Sequence, residues 1–256
     1  MPRYALRLEY DGTGYAGWQR QDGVAGVRTV QAAVEAAAAP LNGGVPPASV
    51  VAGRTDAGVH AEGQVAHLDL AADLPPERVR EAVGWGLREA RASPLACARV
   101  GEDWSARFSA AGRAYRYVIL NRAPRPALDA GRVWHVRGAL DAAAMRDAAR
   151  GLLGRHDFSA YRAASCQARD ALRTLDRLDV SREGERVVVV AEARSFLHHQ
   201  VRNLVGTLVE VGLGRRPASW PRAVLDGRDR RRAGQTAPPE GLCLTRVRYD
   251  PEPGWV

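Results

Sequence analysis

The chain has 256 residues, 46% of them hydrophobic and 26% charged, and carries a formal net charge of +8. That length suits one large domain or two small ones, the composition is that of an ordinary soluble protein, and no run approaches the ~20 apolar residues of a membrane span. Three widely spaced cysteines, Cys97, Cys166 and Cys243, argue against a disulfide framework or a zinc site, so the cytoplasm is the expected compartment.

In chain order, Arg3–Glu9 alternates, with Tyr4, Leu6, Leu8 and Tyr10 sharing a face, and predicts a half-buried strand rather than the apolar run of a signal peptide. The glycine-rich "DGTGYAGWQRQ" then makes a loop. Thr29 is placed to cap a helix through Leu41, with Val30, Ala33, Val34 and Ala37 inward. Ser49–Arg54 and Gln64–Leu70 read as strands, Pro75-Pro76 opens a helix with Val79, Val83 and Leu87 on one face, and Leu95–Val100 is a short strand. The second half runs through strands at Ala114–Leu120 and Val133–Val136, and a helix capped by Asp141 and stopped by Gly154. A hairpin follows over Leu172–Ser181 and Val187–Ala193, then a helix in "FLHHQVRNLVGTLVEVG", a short helix near Ser219–Leu225 and a last strand at Leu242–Tyr249.

This order predicts an α+β fold: two ferredoxin-like β-α-β-β-α-β halves, joined as one extended, mainly antiparallel sheet with helices on one face. The boundary is expected near Ser109–Gly112, giving halves 1–110 and 111–256. The charge divides at the same place. All 37 basic residues are arginine; residues 1–110 hold 11 against 13 acids, net −2, and residues 111–256 hold 26 against 16, net +10. Arginine forks onto phosphate and stacks on bases, so the second half is the expected nucleic-acid surface.

The chemistry-bearing stretch is "VVAGRTDAGVHAEGQVAHLDL" (50–70). If strand geometry persists to Asp56, Arg54 and Asp56 point to one side, and the guanidinium favours the charged carboxylate. Gly53 and Gly58 suit a tight turn. Spacing alone leaves two readings open, an ion pair closing a hairpin and a catalytic acid. A metal set of Asp56, His60 and His67 has poor ligand spacing, and His67 reads better as a hydrogen-bonded strand residue. His198 and Arg202, four apart, would share a helical face turned to phosphate or to water. "GRAYRYVIL" puts Tyr115 and Tyr117 on one strand face beside Arg113 and Arg116, as a base-stacking surface or as core. No GxGxxG, P-loop or G-x-S-x-G motif is present, so no nucleotide cofactor is expected.

Five stretches together resemble one family, the A-type tRNA pseudouridine synthases: "YDGTGYAGWQRQ", "GRTDAGVHAEGQVAH", "ARFSAAGRAYRYVILNR", "LLGRHDFSAYRA" and "FLHHQVRNLVGTLVEVG", in this order, from about Tyr4 to Asp250. The resemblance implies that Asp56 is the catalytic carboxylate and Arg54 its partner. It also implies that Tyr115 contacts the target uridine and that Arg202 lines the catalytic cleft; Arg113 and His198 are further candidate substrate-binding residues from the residue pattern. It implies uridine isomerisation at positions 38, 39 and 40 of the tRNA anticodon stem-loop, without metal or cofactor, by a homodimer with one tRNA across both subunits. One stretch departs: where the family has Asn-x-x-Leu-Pro after the second helix, this chain reads "GWGLREARASPLACARV". A non-catalytic RNA-binding protein and a metal-dependent RNA hydrolase are the alternatives.

Overall fold

A computed structural model describes residues 1–21 and 26–256. The fold is α+β: the described residues form ten strands and five α-helices, and the strand pairings are mostly antiparallel. The chain divides into two compact units, 1–111 with 244–256, and 112–243.

In the first unit, β1 (Arg3–Tyr10) lies between β4 (Ala92–Val100) and β3 (His60–Asp69), antiparallel to both, and β2 (Ser49–Val51) pairs with β3. The alternation of β1 is realised: Tyr4, Leu6, Leu8 and Tyr10 are buried while Arg7 and Glu9 are exposed. Thr29 caps α1 (Val30–Ala38), its hydroxyl accepting from Ala32 N at 3.3 Å. The helix stops short of Leu41 because Pro40 has no N–H to continue the ladder, and residues Ala39–Asn42 tighten into a 3₁₀ turn. Helix α2 (Pro76–Gly86) buries Val79 and Val83 and packs on α1 and β4. Within "GWGLREARASPLACARV" the end of α2 and the whole of β4 therefore form.

The expected second half does not run to the C-terminus. Residues 244–256 belong to the first unit: β10 (Leu242–Tyr249) is the neighbour of β3, with Gly63 against the Thr245 backbone, and Val256 exchanges backbone hydrogen bonds with Cys97 at 2.9 and 3.0 Å. An edge strand is blunted by recruiting a distant segment, a pairing that local pattern does not encode.

In the second unit, β5 (Ala110–Asn121), β9 (Arg186–Ala193), β8 (Leu172–Glu183) and β7 (Gly154–Asp157) follow in that order, antiparallel where β9 pairs β5 and β8 and where β7 pairs β8. The short β6 (Trp134–Val136) adds in parallel to β5. Asp141 caps α3 (Ala142–Arg150) by accepting from Ala143 N and Ala144 N. Helix α3 packs on β8, on α4 (Gln200–Gly212) and on α5 (Trp220–Gly227). Strand β7 was not expected from the sequence; it is four residues long, too short for a periodic signal.

Candidate active site

The acid of the GRTDAG stretch sits on a loop, not on a strand. β2 ends at Val51 and β3 begins only at His60. The two side chains are therefore not held on one pleated face. Asp56 is half-buried, Arg54 is exposed, and among the described residues Arg54 forms no ion pair with Asp56. This corrects the expectation from strand geometry and leaves the guanidinium turned to solvent.

The backbone of this loop is clamped from below. Trp18 N donates to Thr55 O at 3.0 Å, Gly58 N donates to Tyr15 O at 3.3 Å, and Val59 N closes a turn on Asp56 O at 3.1 Å. Thr55 is buried, with its hydroxyl 2.8 Å from the Tyr10 hydroxyl. Gln64, fully buried on β3, donates its amide to Tyr10 Oη at 3.1 Å and to Gly53 O at 2.8 Å. Two glycines make the clamp possible. Gly58 turns the chain at φ 77°, and Gly17, at φ 96°, lies so near that a Cβ there would meet Thr55 O at 2.7 Å and the Asp56 carbonyl carbon at 3.0 Å.

A buried carboxylate anchors the neighbouring loop. Glu35, on α1, accepts from Gln31 Nε2 at 2.8 Å, Ser49 N at 2.8 Å, Ser49 Oγ at 2.9 Å and Arg20 Nη1 at 2.9 Å, and Gln31 in turn accepts from Arg20 N. Its charge is met by four donors, which makes burial tolerable. Glu35 thus ties the loop around Arg20 to the start of β2. Sequence reading assigned no role to Thr55, Gln64 or Glu35. A polar residue amid the buried positions of a strand or helix, as at Gln64 and Glu35, was the available signal.

The histidines of this segment are engaged in structure. His60 Nδ1 accepts from Gly12 N at 3.0 Å and lies 3.1 Å from Asp11 Oδ1. His67 is buried on β3, its Nδ1 accepting from Ala106 N at 3.0 Å. Burial, aided by the Arg3 guanidinium, lowers the His67 pKa to about 4, so the ring is the neutral acceptor this bond requires. The metal set of Asp56, His60 and His67 gains no support from these bonds.

In the second unit, Arg113 and Tyr115 stand on one face of β5, opposite Ala193 and Ala191 of β9. Tyr115 is 9% exposed and meets Phe196 edge-on, ring centroids 5.3 Å apart; Arg113 donates to Arg194 O at 2.5 Å. Phe196 is a neighbour that sequence reasoning did not identify. Tyr117 belongs to the core: its hydroxyl donates to Pro238 O at 2.7 Å, and burial pushes its pKa up. His198 and Arg202 do not share a helical face. His199 adopts φ 62°, which ends the extended segment and lets α4 begin only at Gln200, leaving His198 on the preceding segment. His198 Nδ1 lies 3.2 Å from Ser165 Oγ, while Arg202, in the first turn of α4, donates from Nε to Ala237 O at 2.8 Å. Asn203 beside it is buried, donating to Tyr161 O and accepting from Arg230 and Thr236.

Among the described residues, no helix is long and apolar enough to cross a membrane. A family model described as tRNA pseudouridine synthase matches residues 148–250. The chain is 58% identical over 254 residues to the tRNA pseudouridine synthase A of Acidiphilium cryptum, covering 99% of this chain and 98% of that protein. It is 57% identical over 249 residues to the protein of the same name from Methylobacterium nodulans, covering 97% and 96%. The protein of that name from Gluconobacter oxydans is 52% identical over 254 residues, with 98% and 91% covered. With more than half of its positions shared along nearly its whole length, the chain belongs to the tRNA pseudouridine synthase A family.

Proposed function

We propose that this isomerase converts uridines 38, 39 and 40 of the tRNA anticodon stem-loop to pseudouridine, with Asp56 as the catalytic carboxylate. The reaction breaks the N1–C1′ bond, turns the uracil within the site, joins C5 to C1′ and releases the C5 proton, while N1 takes up a proton in exchange. Nothing is oxidised and no group is added, so the chain's own side chains suffice. What the step needs is a carboxylate fixed beside an electron-poor anomeric carbon, a demand it shares with glycoside cleavage. The observation that carries the reading is the mounting of Asp56: half-buried, on a loop held by buried hydrogen bonds through Thr55, Tyr10 and Gln64. A carboxylate so held reaches substrate without reorganising.

Arg54, exposed beside the acid, meets RNA rather than Asp56. Tyr115, backed by Phe196, packs against the extruded uracil, recovering part of an unstacking cost of a few kcal/mol. Arg113, His198 and Arg202 contribute to substrate binding from β5 and the start of α4. The protein works in the cytoplasm as a homodimer with one tRNA across both subunits. The test is tritium release from unmodified tRNA transcripts carrying 5-tritiated uridine. Asp56→Asn is expected to bind tRNA within severalfold of wild type and to release no tritium; release at the wild-type rate from that variant refutes the role of Asp56.

A further inference from the structure

The second unit has a groove of about 370 Å³ between β7, the start of β8 and the residues that follow β9, lined by Arg155, Asp170, Arg173, Thr174, Arg194 and Ser195. Three arginines and a single acid line it. That acid is committed already: Asp170 Oδ1 accepts from Leu172 N at 3.1 Å and from Arg173 Nη1 at 3.2 Å. Arg155 and Arg194 are exposed, and among the described residues their guanidiniums make no hydrogen bond or ion pair. Elsewhere on the surface Arg78, Arg99, Arg150, Arg177 and Arg222 each lie against an acid. The cluster is therefore a local excess of like charge.

A second observation points to the same missing partner. Arg173 Nε is buried and has no hydrogen-bond partner, although Nη1 of the same side chain is fully used by Asp170 and by Leu172 O at 2.5 Å. Buried N–H groups without an acceptor are rare and costly, which makes this side chain a receptive one. The acceptor has to carry negative charge to offset three cations and be compact enough to sit among them. A phosphodiester meets both conditions, because its two free oxygens match the arginine fork. The hydroxyls of Thr174 and Ser195 add neutral donors at the rim. Arg113 holds the Arg194 backbone in place by its bond to Arg194 O.

We propose that this groove seats a backbone phosphate of the tRNA, away from the reacting nucleotide, and so sets the register in which the RNA is held. The assignment rests on the tRNA-modifying reading above. It is a positioning contact that carries no base information and acts on affinity rather than on the chemical step.

The experiment measures equilibrium binding of an unmodified tRNA transcript to the full chain across a salt series, together with the single-turnover rate of tritium release at saturating enzyme. Arg155→Ala/Arg194→Ala is expected to raise Kd about 10-fold and to lower the slope of log K against log salt by about 1, with the saturated rate within twofold of wild type. Arg78→Ala/Arg150→Ala removes the same charge from ion-paired helix surfaces and is expected to leave the slope unchanged. A wild-type enzyme that modifies tRNA, with a groove variant showing unchanged Kd and slope, overturns the phosphate seat while the function stands. Equal losses in the two double variants overturn it as well, reducing the effect to net charge. Wild-type protein that neither binds tRNA nor releases tritium removes the reading beneath it. In a further arm, inorganic phosphate raising the thermal midpoint of wild type but not of the groove variant, with tRNA affinity untouched, makes the groove a free-anion site and overturns the RNA assignment.

Discussion

Gly17→Ala isolates the support of the acid from its chemistry. Gly17 sits at φ 96°, and an added Cβ meets Thr55 O at 2.7 Å, the Asp56 carbonyl carbon at 3.0 Å and Ala57 N at 3.1 Å, all backbone of the loop that carries Asp56. Reaching an ordinary contact of 3.4 Å requires the two segments to part by about 0.7 Å. A misplacement of 1 Å at a reacting centre costs on the order of 10²-fold, so 0.7 Å corresponds to a loss of about 25-fold in the single-turnover rate. The positive φ itself costs about 1–2 kcal/mol of stability. Gly14→Ala is the matched control: its φ is 80°, yet nothing lies within 4 Å of its Cβ position. It therefore suffers the backbone strain without the displacement. Denaturant unfolding is expected to show both variants destabilised. Tritium release under single-turnover conditions is expected to fall about 25-fold in Gly17→Ala and to stay within about twofold of wild type in Gly14→Ala. Equal rates in the two variants refute the claim that Gly17 sets the position of Asp56.

Glu35→Gln places an amide N–H₂ among four donors and removes the charge that draws them, so unfolding by urea is expected at a stability lower by about 2–3 kcal/mol; a change under 0.5 kcal/mol disproves the buried network. For His67 the folded pKa of about 4 lies below the unfolded 6.5, so the unfolded state binds the extra proton between them. Its contribution is fully present above pH 6.5 and is lost as pH falls to 4, and the stability gap between wild type and His67→Asn is expected to narrow by about 2–3 kcal/mol over that window. A gap that stays constant from pH 7 to pH 4 excludes the linkage. Tyr117→Phe strands the Pro238 carbonyl and is expected to cost about 1 kcal/mol while the saturated isomerisation rate holds, and a severalfold slower rate contradicts its assignment to the core.

Much of the site's surroundings was legible from local chemistry. Thr29 and Asp141 announce their helices because a side-chain oxygen must meet the first free N–H groups, and the alternation in β1 announces a buried face because successive side chains point opposite ways. His198 was misread for an equally physical reason: the apolar periodicity of α4 extends through Leu197, and only the left-handed turn at His199 stops the helix.

What the sequence determined by itself was therefore most of the elements and their order, the four-residue β7 excepted, and the identity of the GRTDAG acid's motif, since these are written in spacings of two to four residues. Tertiary structure alone decided that Asp56 rides on a loop, that Gly17 and Thr55 hold it, that Glu35 is a buried anchor, and that residues 244–256 return to the first unit. Each of those depends on groups tens to hundreds of residues apart meeting at hydrogen-bonding distance, and no local pattern carries that separation.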